Sequence, residues 1–221
     1  MNSVLGKQIR VVLVDDHPIV RNGLTRLIEQ EPDLAVCGEA ANMRDALALI
    51  KRENPDLAII DISLDDASGV DLMKAVKEVA PATKMLAISM HDEGLYAERV
   101  LRAGGMGFVR KNNALDVLID AIRDVLAGNV YLSDSMKNRL LQQLAKPADA
   151  AGERPEEALS NRELEVFEQI GHGLTTREIA NRMHLSIKTI ETYRENVKKK
   201  LGLKNAAELG RHAVRWLLEN S

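Results

Sequence analysis

The sequence predicts two domains of different class: an α/β doubly wound (βα)5 domain built on a parallel five-stranded sheet, followed by a small all-α domain of four helices. Three observations predict this division. Over the first 128 residues, short apolar runs alternate five times with amphipathic stretches of helical period. From Ser160 onward the pattern is helical throughout. Between the two lies "KPADAAGERPEEA", whose two prolines, glycine and many charges read as a flexible tether. The expected boundaries are residues 8–128, a linker with a short helix over 129–158, and 159–221.

Apolar runs near Ile9–Val14, Leu34–Cys37, Leu57–Ile60, Lys84–Ile88 and Met106–Val109 read as strands. Amphipathic stretches near Val20–Glu29, Arg44–Arg52, Asp71–Val79, Leu95–Ala103 and Leu115–Ala127 read as the helices between them. Asn113 with Asp116 has the spacing of an N-cap and its third-position partner, and Gly128 stands where a helix stops. "NVYLSDSMKNRLLQQLA" adds a short connecting helix. In the C-terminal part, helices are expected over Asn161–Gly171, Thr176–Met183, Ile187–Leu201 and Ala206–Glu219. Ser160 with Glu163, Thr175 with Glu178 and Asn205 with Glu208 mark three of their starts.

Of the 221 residues 45% are hydrophobic, enough for two real cores, and no apolar run has membrane-spanning length. The opening "MNSVLGKQIRVVLVDD" carries no cleavable signal pattern, so a cytoplasmic protein without a membrane partner is expected. The single cysteine, Cys37, lies among strand formers and reads as a small core side chain. Of 30 basic and 33 acidic residues, 11 and 8 fall in Ser160–Ser221, leaving 19 and 25 for residues 1–159. The C-terminal part is therefore net positive. Ser186–Lys204 alone holds six basic residues against Glu191 and Glu195, a surplus suited to a polyanion if a motif places it on one face.

"IIDISLDDASG" poses a physical problem, because the run Leu57–Asp61 reads as a buried strand yet ends on a carboxylate. The same edge of the sheet collects more polar ends: Asp15 and Asp16 after the first strand, Ser89 after the fourth and Lys111 after the fifth. Taken singly, each has an ordinary reading, an N-cap for Asp15 or Asp16 and a solvated side chain for Lys111. Together they occupy the edge where doubly wound sheets bind ligands. Clustered carboxylates resist full ionisation unless a cation neutralises them, and hard oxygen donors suit Mg2+. A strand-tip carboxylate beside such a metal can act as an oxygen nucleophile toward a phosphoryl group.

"VVLVDDHPIVRNGL", "IIDISL", "AIS" and "AGGMGFVRK" resemble the receiver domain of two-component response regulators over residues 8–128. The resemblance implies that Asp61 is the phosphoacceptor, with Mg2+ held by Asp15, Asp16, Asp61 and the backbone carbonyl of Ser63. It implies that Lys111 contacts the phosphoryl group, and that Ser89 and Phe108 form the switch that carries the signal outward. The family commonly has a proline four residues after the phosphoacceptor and an Asp or Asn near the glycine that follows. This chain has Asp65 and Ser68 there, which implies slower phosphorylation or altered metal affinity.

"LTTREIANRMHLSIKTIETYRENVKKKLGL" reads as helix, tight turn, helix, with Ile179, Ala180, Ile190 and Val197 as its packing residues. "LSNRELEVFEQIGHGLTTREIA" and "LSIKTIETYRENVKKKLG" resemble the LuxR-type helix-turn-helix DNA-binding domain, and the whole chain resembles NarL/FixJ-type response regulators. By that resemblance Glu191, Thr192 and Glu195 face base edges, while Lys188, Thr189, Arg194, Lys198 and Lys199 lie near phosphates. The two glutamates have an alternative as salt-bridge partners of nearby cations. The implied partners are promoter double-stranded DNA, a sensor histidine kinase and a second copy of the chain, through the receiver or the last helix.

The expected function is a transcriptional regulator controlled by phosphorylation of Asp61, and not an enzyme. One alternative is a DNA-binding regulator whose receiver works without phosphorylation. The other is a Mg2+-dependent phosphotransferase, which would want an acidic residue two positions after its nucleophile, where Ser63 stands. His172 and His184 lack metal-ligand spacing, Trp216 reads as a core or dimer contact, and "AGGMGF" precedes a strand, so it is not a dinucleotide loop.

Overall fold

The computed structural model describes residues 8–145 and 155–220, and divides into two compact units, Met1–Leu140 and Leu141–Ser221. In the first unit β1 (Ile9–Val14), β2 (Leu34–Ala40), β3 (Leu57–Asp61), β4 (Lys84–Ser89) and β5 (Phe108–Arg110) form one sheet in the order β2-β1-β3-β4-β5. All pairings are parallel. The strands alternate with α1 (Pro18–Ile28), α2 (Met43–Glu53), α3 (Gly69–Val79), α4 (Glu93–Arg102) and α5 (Ala114–Ala127). Helices α1 and α5 pack together, as do α2 with α3 and α3 with α4, so the sheet is covered on both faces. That is why β3 is buried along its whole length and reads as an unbroken apolar run.

Two strand expectations shift. β2 extends past Cys37 to Ala40, because a register shift between Val11 and Val12 lets β1 pair with Gly38, Glu39 and Ala40. β2 is one of the sheet's two outer strands, so a glutamate there costs little. β5 begins at Phe108 rather than Met106, although Met106 N–H still donates to Met85 at 2.7 Å and Gly107 accepts from Ala87 at 2.9 Å. The free edge of β5 is then covered by Tyr131, which exchanges backbone hydrogen bonds with Met106 and Phe108 at 2.9 and 3.0 Å. The expected Asn113 cap is not formed. A 3-10 turn over Lys111–Asn113 leaves Asn113 at φ −111°, ψ 3°, outside the extended conformation that aims a capping side chain at the helix. Gly128 does terminate α5, at φ 92°.

The connecting helix is α6 (Asp134–Ala145), and the greater part of the expected tether, residues 146–154, lies outside the described residues. The second unit contains α7 (Asn161–Gly171), α8 (Thr176–Arg182), α9 (Ile187–Lys200) and α10 (Ala206–Asn220). Ser160 and Thr175 each close a reciprocal capping box with Glu163 and Glu178. Asn205 Oδ1 accepts from Glu208 N–H at 2.9 Å. Ile179, Ala180, Ile190, Val197, Leu209 and Ala213 are buried, and Phe167 packs on Trp216 with ring centroids 5.1 Å apart. Trp216 is therefore a core residue. No helix among the described residues is long and apolar enough to cross a membrane.

Candidate phosphoacceptor pocket and DNA-facing helix

Strand register builds the pocket. Val14 of β1 pairs with Ile60 of β3, so the residues that follow, Asp15 and Asp61, emerge side by side at the carboxyl edge. Asp61 in turn pairs with Ile88, which puts Ser89 one step away. Asp15, Asp61 and Ser89 are 1%, 2% and 0% exposed. Lys111, just past β5, reaches back with Nζ at 2.6 Å from Oδ2 of Asp15 and 2.6 Å from Oδ2 of Asp61. The other Asp61 oxygen, Oδ1, accepts from the Ser63 backbone N–H at 3.2 Å.

Burial pushes the Asp61 carboxyl up to about 6, Lys111 opposes the rise, and the neighbouring Asp15 charge adds to it. Burial works against the Lys111 ammonium too, but Asp61 and Asp15 outweigh it and hold the group above its ordinary value. Asp16 is also raised, first by burial and then by the Asp65 carboxyl, against the pull of His17, whose Nδ1 lies 2.5 Å from Asp16 Oδ1. A single donor atom from each of Asp15, Asp16, His17 and Asp61 can be chosen so that all lie within 4.8 Å of one another. Three of the four are carboxylates, a hard donor set that fits Mg2+. His17 is the softer exception, and it is paired with Asp16.

The loop after β3 is held tightly. Gly69 N–H donates to Ile62 at 2.7 Å, Ser63 bridges Ser68, and both Asp66 oxygens accept from Met43 N–H at 3.2 and 3.1 Å. A Cβ on Gly69 would sit 1.9 Å from the Asp61 carbonyl oxygen, so only glycine fits there.

The structure thus brings Asp15, Asp16, Asp61 and Lys111 together, with Ser63 against Asp61. Ser89 lies at the same edge, but its Oγ accepts from the His91 backbone N–H at 3.1 Å. Phe108 is buried on β5. Two neighbours went unread in the sequence. Arg21 Nη1 donates to the Asp15 carbonyl at 2.5 Å while its Nε donates to Glu39 at 3.2 Å. His91 Nε2 lies 2.6 Å from Ser63 Oγ. Nothing in the local pattern marks either residue, because both contacts cross between elements.

In the second unit the turn between α8 and α9 places His184 at φ 51°, and Leu185 N–H donates to Ala180 at 2.9 Å. Helix α9 buries Ile190 and Val197 and presents Lys188, Glu191, Thr192, Glu195 and Lys199 as exposed or half-exposed residues. Thr189, Arg194 and Lys198 lie on the same helix, and burial holds Arg194 below its ordinary value, with Glu195 opposing. Glu195 pairs with Lys198 at 2.7 Å, and Thr192 Oγ1 donates to the Lys188 carbonyl at 3.0 Å.

Residues 11–123 match the response regulator receiver domain, and residues 157–213 match the bacterial regulatory proteins of the LuxR family. The oxygen regulatory protein NreC of Staphylococcus carnosus is 32% identical, covering 94% of this chain and 97% of its own length. The transcriptional regulatory protein UhpA of Escherichia coli is 37% identical over 92% of this chain and 96% of its own length. RcsB from Salmonella enterica serovar Typhimurium, solved bound to promoter rprA in the presence of the phosphomimetic BeF3-, is 25% identical with a TM-score of 0.60, covering 94% and 99% of the two chains. Both domain matches, together with relatives that are more than 30% identical over more than nine-tenths of the chain, mean that the chain belongs to the NarL/FixJ-type two-component response regulators, joining a receiver domain to a LuxR-family DNA-binding domain.

Proposed function

We propose that the chain is a cytoplasmic transcriptional regulator switched by transfer of a phosphoryl group to Asp61, and that it acts as a switch rather than turning over a substrate. The observation that carries this reading is Asp61 buried with one oxygen on Lys111 Nζ at 2.6 Å and the other on Ser63 N–H at 3.2 Å. The donor is a phosphohistidine of a sensor kinase, or a small acyl phosphate. An Asp61 carboxylate oxygen attacks phosphorus, the bond from phosphorus to the donor's leaving atom breaks, and its electron pair stays with the donor. Lys111 faces the negative charge on the phosphoryl oxygens. Mg2+, when held by Asp15, Asp16, Asp61 and the Ser63 carbonyl, supplies charge neutralisation there. Ser89 then turns toward the phosphoryl group, Phe108 follows, and the population of the sheet unit shifts.

The receiver spans residues 8–128, the linker 129–158 and the DNA-binding domain 159–221. Helix α9 enters the major groove, with Glu191, Thr192 and Glu195 toward base edges and Lys188, Thr189, Arg194, Lys198 and Lys199 near phosphates. RcsB, a relative solved as dimers on DNA, supports a dimer that reads two half-sites. The test is incubation with Mg2+ and acetyl phosphate, reading intact mass, with Asp61→Ala as control. One adduct that needs both Mg2+ and Asp61 is expected. If no donor produces it, the regulator works independently of phosphorylation.

A further inference from the structure

The loop after β3 must hold Ser63 accurately, since Ser63 N–H contacts the phosphoacceptor at 3.2 Å and its carbonyl is the metal ligand of the function proposed above. With Asp65 in the loop, no proline restrains that stretch of backbone. The loop is nonetheless tied across the pocket to the segment that follows β4, because Ser63 Oγ and His91 Nε2 are 2.6 Å apart. His91 is itself fixed from two further directions. Its backbone N–H donates to Ser89 Oγ at 3.1 Å, and its ring lies against the ring of fully buried Tyr96 on α4, centroids 4.8 Å apart at 40°. The imidazole thus bridges a packed helix and the loop side of a metal site.

We propose that His91 is a positioning residue for the phosphoacceptor site, holding Ser63 through the Ser63 Oγ–His91 Nε2 hydrogen bond so that the β3–α3 loop is preorganised for Mg2+. The inference rests on the metal site proposed above. Mg2+ demands near-ideal octahedral geometry, so a displaced loop oxygen weakens binding even when every carboxylate is intact. One lost hydrogen bond corresponds to a change of roughly threefold to tenfold in affinity.

The test measures Mg2+ binding directly by calorimetry on the full chain, for wild type, Ser63→Ala, His91→Phe, the double variant and His91→Gln. Phenylalanine keeps an aromatic ring against Tyr96 and removes the Nε2 hydrogen bond to Ser63, whereas glutamine offers a polar group near the position of Nε2. The expected result is weaker Mg2+ binding in Ser63→Ala and in His91→Phe, by roughly threefold to tenfold each, with the double variant no weaker than the singles and His91→Gln restoring most of the loss. With acetyl phosphate, the Mg2+ concentration for half-maximal phosphorylation of His91→Phe should rise while its rate at saturating Mg2+ holds. Single variants that bind as wild type does, or a double variant whose loss is the product of the two, overturn the role of His91. A wild-type chain that binds no Mg2+ overturns the metal site instead.

Discussion

Lys111 Nζ lies 2.6 Å from a carboxylate oxygen of Asp15 and the same distance from one of Asp61, so one ammonium joins the tips of two neighbouring strands. All three groups are buried or nearly so: the side chains of Lys111, Asp15 and Asp61 are 9%, 1% and 3% exposed. The position thus has a structural duty alongside the chemical one proposed for it.

Replacing Lys111 by methionine should leave two buried carboxylates facing each other, costing about 3–5 kcal/mol at neutral pH. The loss should shrink as the solution is acidified below about pH 6, where Asp61 takes up a proton and one of the two charges is removed. Urea unfolding of the full chain, read from amide signals of the sheet on both sides of that pH, measures it. A pH-independent loss would mean that packing of the lysine stem, not its charge, is what matters.

Asp61 titrates at about 6 in the fold against an ordinary aspartate value of 3.8, so the folded state binds the proton more tightly than the unfolded one. The stability this contributes is complete below about pH 4 and is lost as pH rises through about 6. Asp61→Asn, which cannot ionise, should therefore be more stable than wild type above about pH 7 without Mg2+, by on the order of 2 kcal/mol. The gap should close as pH falls from about 6 toward about 4, and thermal melts from about pH 4 to about pH 8 decide the matter.

Gly69→Ala should destabilise the sheet unit by more than about 2 kcal/mol, because its Cβ would press on the Asp61 carbonyl, which is backbone and cannot swing aside. Even the folded fraction should phosphorylate slowly, since the displaced strand end carries Asp61, the proposed acceptor. Gly23→Ala is the control: a Cβ there meets nothing within 4 Å, and the change should be mildly stabilising.

Arg21→Ala should weaken Mg2+ binding severalfold without touching any carboxylate of the metal site. Arg21 Nη1 donates to the Asp15 carbonyl while Nε anchors on Glu39 at 3.2 Å, and Thr25 Oγ1 donates to the same carboxylate at 2.8 Å. Arg21→Lys should rescue poorly, since lysine lacks the planar guanidinium fork whose Nη1 and Nε reach the Asp15 carbonyl and Glu39 from fixed positions. Calorimetric Mg2+ titration compares the three.

On DNA, Lys199→Ala should lower affinity about equally for all sequences and reduce the salt dependence by roughly one counterion. Thr192→Ala should instead change the ranking among operator variants at one base position. Binding isotherms at several salt concentrations separate the two effects, and equal behaviour of both variants would contradict the orientation proposed for α9.

Much of the molecule is legible along the chain because its signals are local. The alternation of two periods marks all ten elements of the sheet, five strands and five helices, and Ser160–Glu163 and Thr175–Glu178 mark helix starts whose reciprocal bonds form as spaced. Asp15, Asp61 and Lys111 are legible because a parallel sheet sends every strand's end to one edge. Asn113 misleads for a local reason, the 3-10 turn that precedes α5.

What the sequence by itself determined is therefore the kinds of element, their order and the acidic edge they must share. Tertiary structure alone decided that Lys111 bridges Asp15 and Asp61, that Tyr131 closes the edge of β5, and that Arg21 and His91 brace the pocket from neighbouring elements. Periodicity records which face a side chain takes on its own element. A contact between Ser63 and His91, 28 positions apart, depends on how two loops meet above the sheet, and no local pattern encodes that.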